Sequence, residues 1–153
     1  MNEKSTLVLG VGNLLLGDEG IGIHIVHRLW DMHLAPEVEV VDGGTGSFEL
    51  IEHFRDRTKV IIVDAVMADE KSGTILRFTP DEADLKWYAS GTAHQLSLYE
   101  LFHFVRQTDP DLRIVVIGIV PEETRYLSMH LSGTVKRQMR RLIKEIIKEI
   151  QIV

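Results

Sequence analysis

Several acidic residues and one of the histidines stand beside glycines or apolar runs in this chain. Side chains of these types could bind a cation. Asp18 and Glu19 follow glycines in the stretch GVGNLLLGDEGIG. Asp64 directly follows the apolar run VIIV, and His94 stands in GTAHQLSL. Carboxylate oxygens and one imidazole suit a borderline divalent metal that is held with open coordination positions. The residue types therefore predict a metal site built from Glu19, Asp64 and His94.

Each of these residues also has a purely structural interpretation. Asp64 could cap the loop after its strand by accepting hydrogen bonds from backbone amides. An acid in the first turn of a helix is stabilised by the helix dipole by about 0.3–1 kcal/mol. A single histidine near a helix start is more often a polar surface residue than a ligand. His24 and His27 offer a second metal pair, but they lie beside an apolar stripe and rank below His94.

Short apolar runs must position these side chains. Nearly continuous runs of valine and isoleucine are typical of strands that are covered on both faces. In this chain such runs occupy 5–12, 38–44, 59–66 and 113–121. A further run, 73–80, predicts an edge strand because Pro80 closes it. Helical periodicity predicts helices over 19–32, 47–55 and 96–107, and a last helix that Ser132 caps. The stretch 80–95 is predicted to be a long loop of the kind that often carries function.

The alternation of strands and helices predicts an α/β fold. We expect a single domain over 1–153, with a doubly wound, mostly parallel sheet of about five strands and helices on both faces. Ligands of such sheets bind beyond the carboxyl ends of the strands, near the switch point in strand order. A strand order of 2-1-3 would place the first and third strands about 4.8 Å apart. Glu19 and Asp64 would then converge at the switch point.

The composition narrows the possible functions. The chain has 153 residues, a net charge of −6 and no cysteine, so disulfides and thiolate chemistry are excluded. The acidic charge argues against nucleic acid as the main partner. No stretch approaches the roughly 20 apolar residues that span a bilayer, so no membrane partner is expected. The start MNEKSTLVLG is typical of a first strand rather than a signal peptide. These features are compatible with a cytoplasmic protein and with a monomer.

Five ordered motifs resemble those of the hydrogenase maturation endopeptidases, which process the large subunit of nickel–iron hydrogenases. The resemblance covers nearly the whole chain and rests on LVLGVGNLLLGDEGIG, DGGT, VIIVDAV, HQLSL and GIVPE. It implies that a glutamate, an aspartate and a histidine contact nickel, at the positions of Glu19, Asp64 and His94. These are the same three residues that rank first on their chemistry.

The resemblance also implies a reaction and a partner. The precursor of a hydrogenase large subunit carries a C-terminal extension, which the endopeptidase removes by one cut after nickel insertion. Nickel held by the precursor would be the recognition element, and no nucleotide is expected. Glycines and polar groups at the strand ends are expected to approach the substrate tail, although tight turning alone would also explain the glycines. They are Gly12, Asn13, Gly43, Gly44 and Thr45.

The chemical step and two other functions stay open at this stage. A metal could polarise the scissile carbonyl or activate water, or a carboxylate could act as general base, with Asp18 and Asp42 as candidates. A nucleotide- or phosphate-binding module would use the first glycine loop, but its spacing is not G-x-G-x-x-G and no Walker lysine follows. A general metallopeptidase would instead hold its own zinc permanently.

Overall fold

A five-stranded sheet forms the centre of the computed structural model, which describes residues 4–46, 48–79 and 92–153. The strands are β1 (Thr6–Gly10), β2 (Val38–Asp42), β3 (Lys59–Ala65), β4 (Ile75–Phe78) and β5 (Arg113–Ile119). Their order in the sheet is β2-β1-β3-β5-β4, with β4 antiparallel and the other four parallel. The predicted α/β class, the edge position of β4 and the neighbouring positions of β1 and β3 are confirmed.

Helices cover both faces of this sheet. They are α1 (Ile21–Trp30), α2 (Ile51–Phe54), α3 (Ala93–Thr108) and α4 (Gly133–Gln151), with 3-10 turns at Gly17–Gly20 and Phe48–Leu50. Alternate residues along the strands point to opposite faces. Leu7, Leu9 and Ile62 therefore pack with the apolar sides of α2 and α3, whereas Val8 and Ile61 pack with α1 and α4.

Two predicted boundaries need correction, and one prediction was confirmed. The helix expected over 96–107 begins at Ala93, because the hydroxyl of Thr92 accepts a hydrogen bond from the amide of Gln95 and caps it. His94 therefore lies in the first turn of α3 rather than before it. The helix expected over 47–55 is a 3-10 turn followed by the short α2. Ser132 does cap α4, as predicted.

Most of the loop predicted over 80–95 lies outside the described residues, as does the end of the predicted strand at Pro80. Its last residues, 93–95, are helical. Among the helices in the described part of the chain, none is long and apolar enough to cross a membrane.

A buried charge cluster ties α4 to the amino end of β3. Lys59 and Glu149 are only 2% and 3% exposed. The Lys59 ammonium donates to the carbonyl oxygen of Glu149 at 2.8 Å and also to that of Ile152. The Glu149 carboxylate accepts two hydrogen bonds from Arg77, at 2.8 and 3.1 Å. These contacts lie at the edge of the sheet opposite to the carboxyl ends of the parallel strands.

Candidate active site

Glu19, Asp64 and His94 come together at the carboxyl edge of the sheet. Nε2 of His94 lies 3.1 Å from Oδ2 of Asp64, and its Nδ1 lies 3.6 Å from Oε1 of Glu19. The imidazole therefore stands between two carboxylates. Exposed fractions of 8% for Glu19, 0% for Asp64 and 6% for His94 show that the cluster is largely shielded from water.

Strand β3 and helix α3 position two of the three side chains. Asp64 is the second-last residue of β3, and its Oδ1 accepts a hydrogen bond from the amide of Ala65 at 2.8 Å. His94 enters from the first turn of α3, where the hydroxyl of Thr92 lies 2.9 Å from its Nδ1. The start of α3 and the end of β3 are thus joined through polar contacts in the cluster.

The glycine-rich loop positions the third side chain. Gly12 has a φ of +148°, a conformation that favours glycine. A Cβ atom on Gly12 would collide with the carbonyl oxygen of Glu19. Gly12 also donates its amide to the carbonyl of Gly44 at 2.8 Å. The absence of a side chain at Gly12 therefore lets the turn that carries Glu19 pack close to the end of β1.

Gln95 also belongs to the cluster, although the sequence chemistry did not single it out. Its amide nitrogen donates to Oδ2 of Asp64 at 3.0 Å and to the carbonyl oxygen of Ala65 at 2.7 Å. Gln95 is 2% exposed. The only sequence signal was its place directly after His94, in the motif HQLSL.

Asp18 lies beside Glu19 in the chain but serves as an anchor between loops. Its carboxylate accepts hydrogen bonds from the amides of Glu122, Glu123 and Ser132 and from the Ser132 hydroxyl, at 2.7–3.0 Å. Asp18 is completely buried. Both of its oxygens accept hydrogen bonds from protein groups and are shielded from solvent. The structure therefore favours a structural role over the general base considered above.

Asp42, the other candidate base, lies at the end of β2 on the outer side of the sheet. Its carboxylate accepts from the amide of Gly44 at 2.9 Å and lies 3.2 Å from Nε2 of His27. It is solvent-exposed and contacts these residues rather than the cluster. His27 also stacks on Trp30, so its ring is occupied by neighbours other than His24.

The predicted substrate-contacting residues form turns near the cluster. Asn13 accepts a hydrogen bond from the amide of Leu15 at 3.0 Å, which stabilises the first loop. Gly43, Gly44 and Thr45 form a turn that ends at Gly46. A Cβ atom on Gly46 would lie 3.7 Å from the Cβ of His94. This turn therefore borders His94, and its contact with a substrate stays a prediction.

Comparisons with known proteins decide the family. The sequence model described as hydrogenase maturation protease matches residues 23–149, a region that includes Asp64 and His94. The chain belongs to this family. It is therefore a peptidase, as the names of its relatives state.

Individual relatives agree with this assignment. The hydrogenase 2 maturation protease of Escherichia coli K12 is 31% identical over 95% of this chain and 90% of its own length. A putative hydrogenase maturation protease of Methanocaldococcus jannaschii is 34% identical over 99% of both chains. Among solved structures, the hydrogenase maturating endopeptidase HybD from E. coli superposes with a TM-score of 0.86 at 30% identity, covering 95% of this chain and 91% of that one.

Burial and neighbouring charges shift the pKa values in the cluster of this protease. Burial raises the pKa of Glu19, the positive charge of His94 opposes that effect, and the charge of Asp64 adds to it, with a net increase. Burial lowers the pKa of His94, but the hydrogen bond to Asp64 and the charges of Asp64 and Glu19 raise it above its ordinary value. The two neighbouring carboxylates therefore favour the protonated form of the His94 imidazole.

The donor types fit a divalent metal, but their present contacts are with one another. In the part of the protease that the structure describes, no group of three or more histidine and acidic side chains stands ready to hold a metal ion. Nε2 and Nδ1 of His94 instead face Asp64 and Glu19, respectively. A metal binds the neutral imidazole, so the raised pKa of His94 would make the binding of a cation depend on pH.

Proposed function

We propose that this protease removes the C-terminal extension of a nickel–iron hydrogenase large-subunit precursor after nickel insertion, and that it recognises the nickel in that precursor. The observation that carries the proposal is the buried cluster in which His94 lies between Asp64 and Glu19. Two carboxylates and an imidazole are suitable ligands for a borderline divalent metal. The names of the relatives, hydrogenase maturation proteases, support a hydrogenase precursor as the partner.

The proposal treats nickel as part of the substrate. A nickel ion that the precursor already holds through thiolates would gain Asp64, His94 and Glu19 as additional ligands. Carboxylates compete poorly with thiolates for a metal in a soft thiolate site, so the enzyme shares the ion rather than removing it. Docking on the metal fixes the adjacent peptide bond, and positioning of this kind can contribute roughly 7–11 kcal/mol toward the barrier.

Within this complex, water attacks the scissile carbonyl carbon, and its proton passes to a base before the leaving amine takes one up. To act as base, a carboxylate of the cluster must release the metal, and Glu19 is the best placed to do so. Its side chain is more exposed than that of Asp64, and burial raises its pKa in the metal-free site, which favours a proton on Glu19 once it leaves the metal. Asp18 and Asp42 have other partners, as described above. The metal can polarise the carbonyl or lower the pKa of the attacking water.

Binding measurements test the recognition step separately from cleavage. Immobilised protease is mixed with nickel-loaded and nickel-free precursor at low temperature, and the retained precursor is quantified. We expect retention of the nickel-loaded form by the wild type and a large loss with Asp64→Asn. Glu19→Gln should retain more precursor than Asp64→Asn but should not cleave it. Equal retention of both precursor forms would argue against recognition through nickel.

Metal content distinguishes this proposal from a permanently metallated peptidase. Purified protease that borrows its metal from the substrate should contain far less than one metal ion per chain. Stoichiometric zinc that resists dialysis, together with cleavage of nickel-free precursor, would favour a general zinc peptidase instead.

A further inference from the structure

The amide of Gln95 is held in one orientation by two acceptors. Its nitrogen donates to Oδ2 of Asp64 at 3.0 Å and to the carbonyl oxygen of Ala65 at 2.7 Å. Both partners accept hydrogen bonds, so the nitrogen must face them and the oxygen must point away. Asp64 is the second-last residue of the buried strand β3. The Gln95 side chain therefore fixes both the carboxylate of Asp64 and the backbone of the residue after it.

We infer that Gln95 is a positioning residue for the reaction, acting through Asp64. This inference rests on the proposed roles of Asp64 and His94. Oδ2 of Asp64 lies within hydrogen-bond distance of both Nε2 of His94 and Nε2 of Gln95. The bond from Gln95 therefore holds this oxygen in place when a metal displaces the imidazole proton. Groups that orient metal ligands in this way commonly change metal affinity or activity by about 10- to 100-fold when they are removed.

The oxygen of the same amide argues that Gln95 is present for function rather than for stability. Oε1 of Gln95 is buried and finds no hydrogen-bond donor within the described residues. An unpaired buried acceptor lowers the stability of the folded state. Local features that reduce stability are expected at functional sites.

Two variants and a matched control separate positioning from simple packing. Gln95→Met keeps the length of the side chain but removes both donated bonds. Gln95→Asn keeps the amide but is one methylene too short to reach both acceptors. Gln107→Met is the control, because Gln107 is exposed on the same helix α3 and contacts His103. For each protein we would measure kcat and KM for nickel-loaded precursor, the thermal midpoint and the ring-nitrogen NMR shifts of His94.

For Gln95→Met we expect kcat/KM to fall by about 10- to 100-fold, with part of the loss in KM because Asp64 also docks the nickel of the precursor. Its thermal midpoint should fall, because the Asp64 carboxylate and the Ala65 carbonyl each lose a buried donor, and the His94 ring signals should move. Gln95→Asn should show the same loss of kcat/KM, and Gln107→Met should match the wild type throughout. A wild-type kcat/KM in Gln95→Met, or unmoved His94 signals, would overturn the inference.

The experiment also separates this inference from the proposed function. If the wild type leaves the nickel-loaded precursor intact, the proposed function fails. The His94 signals then decide the role of Gln95 by themselves. A shift in Gln95→Met that is absent in Gln107→Met supports positioning of the Asp64–His94 pair, and unchanged signals in both refute it.

Discussion

Nε2 of His94 lies 3.1 Å from Oδ2 of Asp64, and this contact joins the first turn of α3 to the end of β3. Asp64 keeps hydrogen bonds from Ala65 and Gln95 when the imidazole is removed. His94→Ala and Asp64→Asn should therefore fold but lower the rate of precursor processing by at least about 100-fold, because ligand positioning is lost. Circular dichroism checks the fold, and gel mobility of the precursor checks processing. Wild-type activity in either variant would remove that residue from the site.

The raised pKa of His94 predicts an acidic limit to activity. Burial lowers this pKa, but the hydrogen bond to Asp64 and the carboxylate charges raise it above its ordinary value of about 6.5. A metal binds the neutral imidazole, so protonation competes with nickel. Retention of nickel-loaded precursor should fall as pH decreases, beginning above pH 6.5. Retention that is constant between about pH 8 and pH 6 would contradict this competition.

The raised pKa of His94 also predicts how the stability of the protein depends on pH, and the direction is opposite to that of precursor retention. A group with a raised folded-state pKa contributes stability that is fully present below its unfolded-state pKa, about 6.5 for histidine. That contribution is lost as pH rises through the folded-state pKa of His94. Urea denaturation should therefore show a difference between wild type and His94→Ala that shrinks from pH 6 toward alkaline pH. A difference that grows with pH would show that the pKa is lowered instead.

Replacing Asp18 should lower the free energy of unfolding much more than replacing Asp42. Asp18→Ala removes a completely buried carboxylate and leaves the partly buried amides of Glu122, Glu123 and Ser132 without their acceptor, and each lost partner costs about 1 kcal/mol or more. We expect a loss of at least about 3 kcal/mol in the free energy of unfolding. Asp42 is exposed, so Asp42→Ala loses only its hydrogen bonds with Gly44 and His27 and should lower the free energy of unfolding by about 1 kcal/mol or less. Chemical denaturation measures both values.

Cleavage assays below the melting temperature complete that comparison. Both variants should still process precursor, since neither carboxylate belongs to the cluster around His94. A folded Asp42→Ala protein without any cleavage would make Asp42 the base after all.

Glu149 should matter for stability and not for processing. The Arg77 hydrogen bonds lower the pKa of Glu149, burial opposes this, and the charges of Arg77 and Lys59 lower it further. Glu149→Gln would leave the buried Lys59 ammonium without its carboxylate partner. Breaking a buried pair typically costs 3–5 kcal/mol, and we expect about 3 kcal/mol because Arg77 is 49% exposed. Glu145→Gln, a less buried position on α4, is the control and should unfold like the wild type.

The sequence predicted those features that depend on local pattern. Continuous valine and isoleucine runs predicted the parallel strands, and the predicted order of β1 and β3 placed Glu19 and Asp64 at the same edge of the sheet. The three partners of Asp18 come from 122–132, far along the chain, so no local pattern could separate its anchoring role from catalysis. Gln95 was missed for a similar reason, because an amide has no distinctive chemistry until its acceptors are known. The start of α3 depended on the cap at Thr92, within a stretch expected to be a loop.

Processing of a hydrogenase large-subunit precursor, with and without nickel, tests the central claim most directly. Equal amounts of the two precursors are incubated with wild-type protease and with Asp64→Asn, and their masses are followed over time. We predict that the wild type shortens the nickel-loaded precursor once, at its C-terminal end, and leaves the nickel-free precursor intact, while Asp64→Asn shortens neither. Cleavage of both precursors at the same rate would contradict recognition through nickel.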